Sequence, residues 1–290
     1  MPSKRPTTTL PLTLPLLGVL LVTLAGCSLR SVHRTKDITY TQADAAKNVQ
    51  EQQLNVFAPR KRDAIKNVLV FFHGGSWNSG NKDLYNFFGN RWVRKGIVTV
   101  VVGYPLSPQA NYHQMATAAA QAVNWVRDNI RQYGGDPERI FVSGHSAGGH
   151  LAALISLDKE YFNTLGIANP IKGTILIDAA GLDMHGYLME QRFDSGHTYL
   201  QTFTTSPEVW KKASPMYHLH EGMPPMLIYR GGRTYPSIIK STERFITALK
   251  THVPAPNYHI QQGRRHVGMI LQFFFTWNPR YDQMRRFMEE

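Results

Sequence analysis

The chain predicts an α/β fold built on one mostly parallel sheet with helices on both faces. Two observations lead there. Short β-branched apolar runs alternate with longer helix-like segments through most of the 290 residues. Residues 97–102 form an uninterrupted apolar run, as in a strand covered on both faces. Strands are expected over 53–57, 67–72, 97–102, 139–142, 173–177, 226–229 and 257–261. Helices are expected over 111–133, stopped by Gly134-Gly135, over 147–157, and over 236–249 behind Pro236. Residues 185–224 break the alternation; long, mixed and aromatic, they read as a cap inserted over the strand ends.

With 42% hydrophobic and 18% charged side chains, the chain has the composition of one sizeable core rather than of a disordered protein. Lys and Arg number 32 against 20 Asp and Glu, a net charge of +12. The basic residues are scattered in short clusters, Arg60-Lys61-Arg62, Arg264-Arg265 and Arg285-Arg286, without interleaved aromatics, so nucleic acid is not an expected partner. The single cysteine excludes an intrachain disulfide. Cys27 follows Leu24-Ala25-Gly26 at the end of an apolar stretch that begins at Leu10 behind Lys4 and Arg5. This N-terminus resembles a bacterial lipoprotein signal peptide. The resemblance implies a signal over 1–26, a lipid on Cys27 and a membrane as partner through that lipid; an uncleaved anchor or a cut elsewhere is the alternative. Ser28 resembles the second residue of lipoproteins sorted to the outer membrane, which implies a cell-envelope location on the periplasmic face. Residues 27–50 are polar without apolar period and read as a tether, leaving 51–290 as the folded domain.

Gly144-His145-Ser146-Ala147-Gly148 fits G-x-S-x-G directly after a predicted strand and directly before a predicted helix. Such a turn exposes the serine hydroxyl, and the helix beginning at Ala147 aims its free N–H groups at the place where an oxyanion forms. His73-Gly74-Gly75-Ser76-Trp77 stands just after another strand. With these two motifs the chain, from about Leu54 to about Ile270, resembles an α/β-hydrolase of the esterase/lipase type, near the His-Gly-Gly-x-Trp carboxylesterases and the feruloyl-esterase-like and arylformamidase-like enzymes. The resemblance implies Ser146 as nucleophile and an oxyanion hole from the amides of Gly75, Ser76 and Ala147, with His73 ordering its loop. It also implies a histidine base after the last strand, which His266 in Gly263-Arg264-Arg265-His266-Val267 fits, with His252 and His259 as rivals.

The triad acid departs from the family pattern. The loop after Tyr229, residues 230–236, carries no carboxylate, and Glu243 stands about two helical turns beyond Pro236. Asp178, at the end of the run 175–177, is the first choice, as in some lipases of this fold, and Asp183 the second. His218-x-His220 lacks a third ligand at helix spacing, so no metal is expected, and no organic cofactor is implied. The expected activity is hydrolysis of short-chain or aryl esters through an acyl-enzyme intermediate. The alternatives are an amidase or formamidase of the same fold, or a degenerate hydrolase serving as an envelope binding lipoprotein, which the missing carboxylate motivates. Tyr187, Met189, Phe193, Tyr199, Phe203 and Trp210 either line an apolar substrate pocket or pack the cap.

Overall fold

A computed structural model describes residues 32–44, 50–61, 64–194 and 196–290. Among the described residues eight strands form one sheet: β1 (Val32–Thr41), β2 (Gln52–Pro59), β3 (Lys66–Phe72), β4 (Val98–Val102), β5 (Gly135–His145), β6 (Ile171–Ile177), β7 (Met226–Gly231) and β8 (Asn257–Gln261), in the order β1-β2-β4-β3-β5-β6-β7-β8. The six strands from β4 to β8 in that order run parallel; β2 is antiparallel to β4, and β1 antiparallel to β2.

The helices are α1 (Asn86–Arg94), α2 (Tyr112–Asn129), α3 (Ala147–Leu157), α4 (Glu160–Asn163), α5 (Met184–Glu190), α6 (Thr198–Phe203), α7 (Pro207–Lys212), α8 (Pro236–Leu249), α9 (His266–Leu271) and α10 (Arg280–Glu289). Side chains alternate across a strand, and the two sides of β3 supply two cores. Val68, Val70 and Phe72 face the core shared with α2, α3 and α8, whereas Leu69 and Phe71 face the core of α1 and α10. The uninterrupted apolar runs are thus strands with both faces covered. A capping box between Asn111 and Gln114 starts α2, and a 3-10 turn over Ile130–Tyr133 tightens its end before Gly134 turns the chain at φ 82°. Every residue of α3 is buried, so this helix needs no polar face.

One expectation is corrected. The stretch read as a tether contains β1, which pairs with β2 along most of its length. Its apolar signal is sparse because it is an edge strand: Val32 is buried and Ile38 and Tyr40 pack on the core, while Arg34 and Lys36 stay in solvent, which protects an edge from pairing with another chain. Asp37, at φ 55°, shifts the register, and Lys82 reaches it at 2.6 Å. The predicted signal over 1–26 and Cys27 lie outside the described residues. Among the described residues no helix is long and apolar enough to cross a membrane.

Candidate active site

Ser146 sits where β5 turns into α3, at φ 54° and ψ −120°, a conformation most residues avoid. Close backbone approach fixes it there. A Cβ on Gly144 would lie 2.2 Å from the Gly148 backbone, and one on Gly148 would lie 2.1 Å from the Phe72 carbonyl, so only glycine lets α3 press this tightly on β3. The Ser146 amide donates to the Ile177 carbonyl at 3.2 Å, which ties the turn to the end of β6.

His266 opens α9, and its Nε2 accepts from the Ser146 hydroxyl at 2.9 Å. Its Nδ1–H donates to Asp178 Oδ2 at 2.6 Å. Asp178 is fully buried just past β6, at φ 49°. Two further donors meet its carboxylate: the Gly231 amide on Oδ1 at 2.7 Å and the Thr234 hydroxyl on Oδ2 at 2.5 Å. A buried carboxylate is tolerated only when its oxygens are taken up in this way. The loop after β7, which carries no acid of its own, therefore supplies donors to an acid standing on β6. Asp183, the second choice, is elsewhere; it caps α5 through the Gly186 amide and pairs with Arg244 at 2.8 Å. Glu243 lies beside Arg230 at 3.5 Å. Of the rival histidines, His259 binds Asn257 and stacks on Tyr229, and His252 is exposed past α8.

Gly75, Ser76 and Trp77 all have positive φ, at 137°, 50° and 63°. This loop turns its carbonyls inward: the Tyr104 hydroxyl donates to His73 O, the His73 ring to Gly74 O, and the amides of Asn78 and Ser79 to Gly75 O. Among the described residues the amides of Gly75, Ser76 and Ala147 donate to no protein acceptor, and Gly75 and Ser76 line a cavity with Ser146. That cavity holds about 440 Å³ and has no carboxylate in its wall. Of the six cap residues, Tyr199 alone reaches it. Phe203 is buried between Trp77 and Tyr112, Phe193 stacks on His197, and Met189 faces solvent. The cap is chiefly packing. Among the described residues no group of three or more His, Cys, Asp or Glu is arranged to hold a metal ion, and His218 binds the Lys212 carbonyl.

Two supporting histidines, His145 and His150, carry no signature of their own in the sequence. His145 stacks on His266, centroids 4.6 Å apart, and its Nε2–H donates to the His266 carbonyl at 3.1 Å. Trp77 Nε1–H donates to His150 Nδ1, whose Nε2–H donates to Ala213, so the loop after β3, α3 and the cap are joined through one imidazole. Burial pushes His145 down to about 3, with neighbouring His266 adding to the shift, and holds His73 and His150 down at about 4. All three lie below the unfolded value, so as pH falls below about 6.5 the unfolded chain takes up protons that the folded chain refuses. Stability is then lost by up to about 1.4 kcal/mol per pH unit for each. Thermal melts should show Tm level above pH 7 and falling steeply between pH 6 and pH 4.5; a level Tm across that window contradicts the three neutral imidazoles.

A family model described as BD-FAE matches residues 54–239. Isoprenylcysteine alpha-carbonyl methylesterase ICME of Arabidopsis thaliana is 27% identical over 235 residues, covering 76% of this chain and 55% of that protein. Kynurenine formamidase of Danio rerio is 33% identical over 150 residues, 51% of this chain and 47% of that one. The chain thus spans about half the length of these curated relatives. Esterase B of Lactobacillus rhamnosis superimposes with a TM-score of 0.70 at 18% identity, covering 94% of both chains, a likeness of fold. By its sheet order, its strand–serine–helix turn and the family match over most of its length, the chain belongs to the BD-FAE family and has the α/β-hydrolase fold.

Proposed function

We propose that the protein is a serine carboxylesterase, and the hydrogen-bonded series Ser146–His266–Asp178 at the cavity wall carries the reading. Ser146 Oγ attacks the ester carbonyl as His266 Nε2 takes its proton, and Asp178 holds the ring with Nδ1 protonated and steadies the imidazolium that forms. The amides of Gly75, Ser76 and Ala147, without acceptors among the described residues, receive the oxyanion. His266 then protonates the departing alcohol, and water, activated by the same imidazole, releases the acid from Ser146. Thr234 is a positioning residue. Thr234→Val removes a donor from the buried carboxylate and should lower kcat/KM about 10- to 100-fold, whereas Thr234→Ser, which keeps the hydroxyl, stays within about threefold.

Small esters fit the cavity, and the similarity to a methylesterase supports an ester substrate. The formamidase relative supports amide hydrolysis as the second reading. Comparing p-nitrophenyl butyrate with butyryl p-nitroanilide separates them: the ester should be turned over faster, and faster turnover of the anilide would replace the esterase reading. Absence of turnover of both substrates would favour the binding lipoprotein.

For location, the lipoprotein-like N-terminus supports a lipid on Cys27 and an outer-membrane, periplasmic-facing placement. Cys27 precedes Val32 by five residues, a reach of at most about 18 Å. Val32 pairs with Pro59 at the end of the sheet opposite Ser146. An enzyme anchored this way directs its cavity away from the leaflet that holds it.

A further inference from the structure

The mouth of the cavity continues onto a strip of exposed apolar side chains. Leu84 and Val267 stand in the cavity wall yet are 65% and 55% exposed. Leu271 follows Val267 by four residues on α9, so the two share one helix face. Phe274, Phe275 and Trp277 are the next exposed apolar residues along the chain, with Trp277 79% exposed. Ring packing orders them: Phe274 lies flat on Phe87 with centroids 3.8 Å apart, and Phe275 sits 5.1 Å from Trp277. No Asp or Glu stands between Glu243 and Asp282, so nothing anionic interrupts the segment. Exposed apolar residues scattered singly need no explanation, but a continuous run opening from a catalytic cavity does.

We propose that this strip is a subsite for the apolar arm of the substrate, and that the enzyme takes amphiphilic esters whose chain is longer than the cavity holds. The proposal rests on the esterase reading of Ser146. His266 occupies the first position of α9 and Val267 the next, so an arm leaving the reacting carbonyl on this side meets Val267 first. Leu271 stands about 6 Å further along the helix, with the aromatic residues beyond it. The occupant is a substrate chain rather than the anchoring membrane, because a lipid on Cys27 enters at the opposite end of the sheet. An arm lying on an open strip buries about half its surface, so each methylene should raise kcat/KM about twofold, half the logarithmic gain of full burial.

The test measures kcat/KM of the full-length protein for p-nitrophenyl esters of two to ten carbons, each below its critical micelle concentration. Wild type should rise about twofold per methylene from four to ten carbons. Leu271→Ser combined with Trp277→Ala, both at exposed positions, should flatten that rise, lowering the ten-carbon value about tenfold and leaving the four-carbon value within twofold. Wild-type activity that peaks at four carbons, or a rise that the double variant leaves intact, overturns the proposal. Absence of Ser146-dependent turnover at every chain length removes the esterase reading itself, and the proposal with it.

Discussion

Asp178→Asn should lower kcat by about 10⁴ while KM changes little, the size of effect seen when a triad acid becomes an amide. The reason is local. Oδ1 accepts from the Gly231 amide, and Oδ2 accepts from both Thr234 and His266. Whichever way an asparagine is turned, its NH₂ faces a donor. The orientation that spares the Gly231 amide drives His266 into the other tautomer, with a proton on Nε2 aimed at Ser146, and the base is lost. Asp183→Asn serves as the control: it weakens the pairing with Arg244 and leaves kcat near wild type, since that carboxylate belongs to the cap of α5. Initial rates with p-nitrophenyl butyrate, alongside a thermal melt for each variant, decide the matter. An Asp178→Asn enzyme within tenfold of wild type would place the acid elsewhere.

Ser146→Ala should remove still more, about 10⁶ in kcat, because no other side chain forms the acyl intermediate. The free amides of Gly75, Ser76 and Ala147 remain in place, so a residual rate about 10³ above the uncatalysed one is expected from oxyanion binding alone. The fold should survive, since among the described residues the hydroxyl bonds His266 alone and the glycines on either side set the turn. Unchanged turnover in this variant would mean another nucleophile.

Much of this site was legible in the residues. Uninterrupted apolar runs mark strands with both faces covered, which fixes the parallel sheet, and G-x-S-x-G means a nucleophile turn once a strand precedes it and a helix follows. His266 was legible through the family resemblance, which places a histidine after the last strand and left His252 and His259 as rivals. The acid was half legible: the loop after Tyr229 carries no carboxylate, which left Asp178 as first choice and Asp183 as second, and the register of β6 against β7 is what brings Asp178 to His266. Thr234 and Gly231 left no trace, because a hydroxyl and an amide become donors to Asp178 only through tertiary placement. β1 was missed for the opposite reason: an edge strand keeps charges that make it read as linker.

The most direct measurement is intact-mass and peptide analysis after incubation with an organophosphonate ester. One phosphonyl group per chain, located on Ser146 and formed more than a hundredfold more slowly in Asp178→Asn, is the expected result. A serine that stays unmodified while the chain is folded, or an adduct at another residue, would contradict the assignment of Ser146, His266 and Asp178 as nucleophile, base and acid.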